Sequence, residues 1–185
     1  MNILLIYPQY THSTEFDTRA PSMSLVYLAA ALERDGHRVE IYDASLGPVV
    51  KSGKIFRYGV SEEEMRDFLR SRRFDMVGIT CSFAAKWKFV SKIAEQIKEI
   101  NPRALVSTGG LFPTYSWKYC LNDCDAIDFI MLGEAELSFA QIAGNIAKGA
   151  DLNDACKNAD GVAWRTEKEI HYNPKKEYNN KLDDL

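Results

Sequence analysis

Apolar runs alternate with amphipathic segments along the first 150 residues of this 185-residue chain. Five of the runs have the length of β-strands, and they occupy residues 2–7, 37–42, 75–80, 103–108 and 127–132. A strand that is apolar at nearly every position is typical of a parallel sheet whose two faces are both covered. The pattern therefore predicts strands that lie in the middle layer of the protein.

The segments between these runs show the spacing of amphipathic helices. In the first, apolar residues recur on one helical face after a potential N-cap at Ser22, and Gly36 follows as a C-terminal stop. In the second, Ser61 and Glu64 have the spacing of a capping box. Helices after the first are predicted at residues 61–72, 85–100 and 115–121 and from Gly133 onward.

Strands that alternate with helices require right-handed crossovers, which place the strands parallel in one sheet. We therefore predict an α/β fold of the Rossmann-like, flavodoxin-like kind, with a doubly wound five-stranded parallel sheet. Residues 44–60 show no clear pattern and are predicted to be irregular, whereas residues 161–165 and 169–172 predict a β-hairpin. A polar linker is expected over residues 173–185. The expected organisation is a domain over residues 1–150 and an extension over residues 151–185.

Ligands of such sheets bind beyond the carboxyl ends of the strands, near the point where the strand order reverses. Gly109 and Gly110 follow the fourth predicted strand and leave a main-chain ledge without side chains. A large flat ligand can lie against such a ledge, and glycine also permits an abrupt turn. The candidate cofactor-binding residues are Pro8, Gln9, Tyr10, Thr80, Cys81, Ser82, Phe83, Gly109, Gly110, Leu111, Phe112, Gly133 and Glu134.

The residues at the ends of the first and third predicted strands argue against two common functions of this fold, dinucleotide binding and phosphoryl acceptance. A dinucleotide needs a Gly-x-Gly-x-x-Gly turn there, and the chain has Pro8, Gln9 and Tyr10 instead. A phosphoacceptor domain needs an aspartate at the end of the third strand, where Thr80 lies. A flavin mononucleotide loop is rich in hydroxyls and glycine, and no glycine precedes Gly36. The favoured ligand is a broad macrocycle with amide groups at its rim, because the candidate surface is small and apolar. Flavin mononucleotide stays only as an alternative.

Charge and hydropathy narrow the choice of partners. The net charge is −3 with mixed signs, which does not favour nucleic acid or an anionic membrane surface. No apolar run reaches the roughly 20 residues of a membrane span, and the N-terminus lacks the basic flank of a secretory signal. We expect a cytoplasmic protein.

The four cysteines do not form a recognisable metal-binding pattern. Cys120 and Cys124 are one helical turn apart and could serve a metal, but no third cysteine lies near them in sequence. We expect them to be small, half-buried, reduced side chains on a helix, and we predict no metal ligand in the chain. Cys81 is equally compatible with a buried position and with a cofactor contact.

An ordered series of segments resembles a known family. The chain is similar to the N-terminal cobalamin-binding domain of cobalamin-dependent radical S-adenosylmethionine enzymes. The similar segments are ILLIYP (3–8), PSMSLVYLAA (21–30), GHRVEIYDA (36–44), FDMVGIT (74–80), Gly109-Gly110, DFIMLGEAE (128–136), DGVAWR (160–165) and LDDL (182–185). The resemblance covers most of residues 1–150 and continues into the hairpin and the lead-in to the family's barrel.

The resemblance implies a cofactor and a partner domain. Cobalamin is expected to lie flat on the carboxyl edge of the sheet, with its nucleotide tail passing Gly109-Gly110 between the sheet and a helix. Its upper face is expected to meet a barrel that holds a 4Fe-4S cluster and S-adenosylmethionine, for methyl transfer or cyclisation. The barrel's three-cysteine motif is absent from this sequence, so the chain is expected to be truncated before the barrel and to have no catalytic residue of its own.

One position departs from another branch of cobalamin proteins, which carries Asp-x-His-x-x-Gly after the first strand. Here the corresponding positions are occupied by Tyr10, His12 and Glu15, so the supporting aspartate and glycine are missing. A metal-ligating histidine normally needs an acceptor for its other ring nitrogen. We therefore expect His12 to be a solvated loop residue, with the lower face of the cobalt left to water or to a side chain near Tyr10 or Phe83. A free-standing cobalamin carrier or sensor is the alternative function.

Other polar residues are expected to have structural roles. Asp43 is predicted to cap the segment that follows the second strand. Glu134 and Glu136 are expected to favour the start of the fifth helix through its dipole, although Glu134 has the alternative of accepting hydrogen bonds from corrin amides. Lys86 and Lys88 are predicted to lie on a solvated helix face.

Overall fold

The computed structural model describes residues 1–15, 19–167, 169–176 and 178. The strands in this part of the chain are β1 (Asn2–Tyr7), β2 (Tyr10–His12), β3 (Arg38–Asp43), β4 (Val49–Ser52), β5 (Ile55–Tyr58), β6 (Met76–Thr80), β7 (Leu105–Gly109), β8 (Phe129–Met131), β9 (Val162–Arg165) and β10 (Ile170–Asn173). The α-helices are α1 (Met23–Arg34), α2 (Glu62–Arg70), α3 (Trp87–Ile100), α4 (Leu111–Asp123), α5 (Glu136–Ala147) and α6 (Leu152–Lys157).

The central sheet has the spatial order β10-β9-β8-β7-β6-β1-β3. Five neighbouring strands pair in parallel, in the order β3, β1, β6, β7 and β8. The first strand of the chain, β1, thus lies inside the sheet, between β3 and β6. The α/β fold with a mostly parallel sheet is therefore confirmed. The sheet has seven strands rather than five, because β9 pairs antiparallel with β8 and β10 extends the edge as the second strand of a hairpin.

Helices cover both faces of this sheet and form two separate cores. One core unites apolar side chains of the strands with those of α2, α3 and α4. The other unites the alternate side chains of the same strands with those of α1, α5 and α6. Because successive side chains of a strand point to opposite faces, each strand contributes to both cores.

Residues 44–60 are not irregular, which corrects the prediction from sequence. Strands β4 and β5 form a hairpin, and β2 pairs with β5 to complete a three-stranded antiparallel sheet. Gly53 lies in the two-residue loop between β4 and β5 with a φ of 60°, a conformation that such tight hairpin loops require. Tyr58 is fully buried at the end of β5, and its ring stacks on that of Tyr10 in β2.

Several helix boundaries agree with the sequence, but the starts of α4 and α5 do not, since α5 begins at Glu136 and not at Gly133. Ser61 and Glu64 form the predicted capping box at the start of α2, and Gly36 follows α1 with a φ of 83°. Ser22 is the N-cap residue of α1 but makes no capping hydrogen bond with its side chain. Helix α4 begins at Leu111, immediately after Gly110, and not at Tyr115 as predicted.

The C-terminal region is described only in part. The second strand of the predicted hairpin extends to Asn173, so this residue is not linker. The remainder of the predicted linker over residues 179–185 lies outside the described residues. No helix in the described part of the chain has the length and apolar composition needed to cross a membrane.

Candidate functional site: a cleft at the carboxyl edge of the sheet

A cleft lies at the carboxyl edge of the central sheet, between helices α1 and α5. It has a volume of about 240 Å³ and lies above strands β6, β7 and β8. Helix α1 contributes Ser24, Leu25 and Leu28 to one wall, and the first turn of α5 contributes Glu136 and Phe139 to the other. Because the cleft lies between two helices of one layer, a ligand that enters it reaches the strands directly.

The floor of the cleft is formed by residues with small side chains. Gly78 of β6 lies beside Ser107 of β7 in the parallel pairing of these strands. Thr80 lies beside Gly109 two residues further along, on the same face of the sheet. Two of these four residues have no side chain. At Gly109 the main chain itself is the surface that a ligand meets, whereas a Cβ atom on Gly78 would lie 3.0 Å from Cδ2 of Leu5 and 3.5 Å from Cζ of Phe139.

Bulky residues bound this floor on both sides. Leu5 of β1 pairs with Gly78, and Phe129 of β8 pairs with Ser107. Across β1, β6, β7 and β8, the residues in this row are therefore large, small, small and large in turn. A depression two strands wide follows directly from this order, because the sheet surface is lower wherever the side chains are small.

The glycine pair beyond β7 has two different roles. Gly110 has a φ of 102°, and a Cβ atom there would lie 2.9 Å from the carbonyl oxygen of Cys81, so a side chain is excluded. Gly109 has an ordinary φ, and a Cβ atom there would make only a 3.5 Å contact with Met131. The fold therefore requires glycine at position 110, whereas at position 109 glycine leaves open space in the cleft.

Thr114 joins the loops that follow β7 and β8. Its hydroxyl donates to the carbonyl oxygen of Gly110 over 2.8 Å, and it accepts the N–H of Gly133 over 3.0 Å. Gly133 has a φ of 68°, which glycine adopts readily. These bonds fix the relative position of the two glycine-containing loops at one end of the cleft.

Exposed apolar side chains surround the mouth of the cleft. Phe83 and Leu111 are 62% and 59% exposed at the starts of the segments that follow β6 and β7, and Tyr115 is 82% exposed. Met23 at the start of α1 and Leu137 in the first turn of α5 are also exposed. Large exposed apolar side chains are candidates for contact with a ligand or with another protein domain when they group together.

The comparison with known families shows to which family the chain belongs. Residues 13–143 match the sequence model of a protein family, the B12-binding domain. The chain belongs to the B12-binding domain family. This result confirms the recognition of a cobalamin-binding domain that the sequence segments suggested.

Curated relatives of this B12-binding domain are enzymes of two kinds. A cytidylyl-2-hydroxyethylphosphonate methyltransferase from Streptomyces wedmorensis is 28% identical over 77% of the chain. An uncharacterised methyltransferase from Pyrococcus horikoshii is 25% identical over the whole chain. An anaerobic magnesium-protoporphyrin IX monomethyl ester cyclase from Synechocystis is 27% identical over 92% of the chain. The matched regions make up only 27%, 37% and 32% of these three relatives.

The described residues fit a cobalamin at this edge. The cleft is smaller than the roughly 300–1,000 Å³ of pockets that enclose a whole drug-sized ligand, so it suits an arm of the cofactor and not the corrin ring. The row of small residues and the glycine at position 109 permit close approach to the main chain. The exposed apolar side chains at the mouth offer a surface for a broad ring.

The cleft brings together part of the set of residues that the sequence singled out. Thr80, Gly109, Gly110, Gly133 and Glu134 line it. The other candidates lie outside its lining, and they are Pro8, Gln9, Tyr10, Cys81, Ser82, Phe83, Leu111 and Phe112. The cleft also has lining residues that were not candidates from sequence, among them Ser24 of α1, Gly78 of β6 and Ser107 of β7. For Gly78 and Ser107, the strand register is needed to know which face of the sheet they lie on.

Cys81 and Phe112 face the core on the other side of the sheet. Cys81 is fully buried among the residues that pack against α2, α3 and α4, and burial raises the pKa of its thiol to about 11. Phe112 packs against the same core, with its ring tilted against that of Trp87. Of the two roles left open for Cys81, the buried position is the one that the structure shows.

Lys86 is not solvated, which corrects the prediction from sequence, whereas Lys88 is exposed as predicted. Lys86 ends a 3-10 turn that precedes α3 and is only 7% exposed. Its Nζ atom donates a hydrogen bond to the hydroxyl of Tyr7 over 2.5 Å. The prediction failed because the turn directs this side chain back over the end of β1, away from the exposed face of α3.

His12 lies in the small antiparallel sheet and its side chain is exposed, as predicted. Its Nδ1 atom accepts the N–H of Thr14 over 3.0 Å, a local contact within the loop after β2. This histidine is not among the residues that line the cleft.

Two carboxylates have the structural positions that we expected. The Asp43 side chain accepts the N–H of Ser45 over 2.9 Å and its hydroxyl over 2.6 Å, and so caps the 3-10 turn Ala44–Leu46. Glu136 lies in the first turn of α5, where a negative charge interacts favourably with the helix dipole.

Within the described residues, no group of three or more histidine, cysteine or acidic side chains is arranged to hold a metal ion. Cys120 and Cys124 are free and fully buried rather than half-buried. Burial raises the pKa of Cys120 to about 12 and also raises that of Cys124.

Proposed function

We propose that this chain is the cobalamin-binding module of a larger enzyme and holds the cofactor on the carboxyl edge of its sheet. The nucleotide arm enters the cleft between α1 and α5, and the corrin ring lies above Gly109 and Gly110. The observation that carries this proposal is the floor of small residues across β6 and β7, because it leaves room for a ligand at the carboxyl edge of the sheet, and the chain belongs to a B12-binding family.

The chain's own residues bind and orient the cofactor. Ser107 makes no hydrogen bond to another described residue through its hydroxyl, so this group is available to the arm at the floor. Glu134 at the mouth can accept hydrogen bonds from corrin amides, and Phe83 and Leu111 exclude water from one side of the ring. Bound cobalamin supplies cobalt-centred alkyl-transfer chemistry, while the protein supplies position and environment.

The catalytic partner in this proposal is a barrel of the same polypeptide that binds a 4Fe-4S cluster and S-adenosylmethionine. Two relatives carry the name methyltransferase and one is a cyclase, so methyl transfer and cyclisation are the candidate reaction types. The small share of each relative that this chain covers supports a module within a longer enzyme. Residues 1–150 are the cofactor-binding domain and residues 151–185 its connection to the barrel.

The position of the C-terminal segment supports this arrangement. A Cβ atom on Gly133 would lie 3.4 Å from Cγ of Lys175 and 3.9 Å from a ring carbon of Tyr178. Lys175 is held there by an ion pair with Asp160 over 3.5 Å. The segment that follows the β9–β10 hairpin thus returns to the edge of the sheet where the cofactor is proposed to lie.

A paired substitution tests the cofactor site. Gly109→Leu places an isobutyl group in the cleft, while Gly144→Leu adds the same group on α5 where a Cβ atom meets nothing within 4 Å. After incubation with hydroxocobalamin and desalting, the parent chain and Gly144→Leu should retain a corrin absorption spectrum. Gly109→Leu should retain at least about 10-fold less corrin. Equal retention by both variants would contradict the proposed cleft.

The same assay separates the alternative functions. Retention of flavin mononucleotide and not of a corrin would favour a flavin-binding domain. A carrier or sensor would also retain the corrin, and the gene sequence beyond Leu185 distinguishes it from the enzyme module. A Cys-x-x-x-Cys-x-x-Cys segment within the next few dozen codons supports the enzyme.

A further inference from the structure

One lysine joins the two strands that flank the point where the strand order reverses. Lys86 comes from the turn after β6, and its Nζ donates to the hydroxyl of Tyr7, the last residue of β1, over 2.5 Å. The same ammonium lies 4.1 Å from the centre of the Tyr7 ring and 4.8 Å from that of Tyr10. These three residues form a cluster, here called the lysine–tyrosine cluster, that is separate from the lining of the cleft.

The ammonium of this lysine has no carboxylate partner in the part of the chain that the structure describes. Lys86 is only 7% exposed, yet it forms no ion pair with a carboxylate of the described residues. Burying an ammonium group without an anion is costly, since two aromatic rings and one hydroxyl replace only part of its hydration. An ammonium has three N–H donors and Tyr7 accepts from one, so two remain for a group outside the fold.

A neighbouring side chain also has an unused polar atom. Gln9 directly precedes Tyr10 in the loop after β1 and is only 3% exposed. Its Oε1 atom accepts no hydrogen bond from the described residues. Nearly all buried polar atoms in proteins have a partner. The unsatisfied oxygen of Gln9, together with the unused N–H donors of Lys86, therefore indicates a polar ligand beside this strand pair.

We propose that Lys86 binds an oxygen acceptor of the cofactor and forms a second anchoring point beside the cleft. This inference rests on the proposed function, because it takes cobalamin as the ligand. The acceptor is an oxygen of the phosphodiester in the nucleotide arm or an amide carbonyl at the corrin rim, and both accept hydrogen bonds from an ammonium. The lysine–tyrosine cluster is thereby a binding element and not only a support for β2.

The test compares Lys86→Met with Lys88→Met. Both variants remove one positive charge from the same turn of chain, but only Lys86 is buried against the tyrosines. Hydroxocobalamin titrations give the dissociation constant of each variant, and thermal unfolding without ligand gives its stability. We expect Lys86→Met to bind at least about 10-fold more weakly, which is the loss expected for a charge-assisted hydrogen bond, and Lys88→Met to bind like the parent chain.

The stability measurement separates binding from support. If Lys86 binds the cofactor, its removal takes away an unbalanced buried charge, so the melting temperature of the ligand-free Lys86→Met variant should equal or exceed that of the parent. Unchanged affinity would overturn the inference, as would weaker binding accompanied by a lowered melting temperature. Failure of the parent chain to bind hydroxocobalamin would overturn the proposed function as well, so the two failures are distinguishable.

A second ligand identifies the acceptor. Dicyanocobinamide carries the corrin amides but lacks the nucleotide arm with its phosphodiester. If Lys86→Met weakens binding of hydroxocobalamin only, the acceptor is the phosphodiester. If it weakens binding of both ligands, the acceptor is a carbonyl at the corrin rim.

Discussion

The two faces of the central sheet are built from the same strands but differ in how they are filled. On the face toward α2, α3 and α4, the row Ile6, Ile79, Thr108 and Ile130 runs across four paired strands, and the residues of this core are closely packed. On the face toward α1 and α5, the row beneath the cleft has Gly78 and Ser107 at its centre. Both faces carry a buried core, but the cleft at the carboxyl edge lies on the face toward α1 and α5, which is where we propose that the cofactor binds.

The largest effect on stability is expected on the filled face. Ile130→Ala removes three heavy atoms from a fully buried side chain of β8. The free energy of unfolding should fall by about 2–5 kcal/mol, as is typical of such truncations. Chemical denaturation measures the change. The affinity of the folded variant for hydroxocobalamin should stay within about 3-fold of the parent, because Ile130 points away from the cleft.

The next largest effect should be on binding, from a change on the open face. Ser107→Leu adds bulk to the cleft floor, where the cavity can accept it, so the melting temperature should stay the same or rise. The dissociation constant for hydroxocobalamin should increase at least about 100-fold, since the arm and the new side chain compete for one space. If Ser107→Leu binds hydroxocobalamin as tightly as the parent chain, the face toward α1 and α5 does not receive the cofactor arm, and the proposed difference between the two faces is wrong.

The smallest effect is expected in the rate at which buried cysteines are alkylated. Because each core contains a thiol, these rates compare how tightly the two cores are closed. Cys81 lies in the core of the filled face and Cys156 in the core of the open face. Burial raises their pKa values to about 11 and about 12, so little thiolate exists near pH 8 and alkylation should be slow at both. Time-resolved labelling with iodoacetamide, with denatured protein as reference, measures this. Fast labelling of Cys156 alone would show that the open face loosens its core.

Sequence patterns predicted the layers of the molecule better than its site. The apolar runs located all five parallel strands, because burial on both faces leaves a continuous signal. Gly109 and Gly110 could be singled out since they interrupt such a run. Gly78 and Ser107 could not be singled out. A small residue inside a strand indicates a cleft only when the sheet face on which it lies and its neighbours on adjacent strands are known.

Two other failures have local causes. In residues 44–60, exposed apolar side chains such as Val49 and Ile55 obscured the alternation of a short hairpin, and the turn at Gly53 was the available signal. Lys86 was assigned to a helix face by its spacing, but a 3-10 turn precedes α3 and places this lysine over Tyr7. The first case is a local pattern that was missed, whereas the second depends on a contact with a residue distant in sequence.

A crystal structure of the chain with bound hydroxocobalamin tests the central claim most directly. We expect density for the nucleotide arm between α1 and α5, in contact with Ser107 and Gly109, and density for the ring beside Phe83 and Leu111. A cofactor bound at another surface, with the cleft between α1 and α5 empty, would contradict the claim that the floor of small residues exists to receive it.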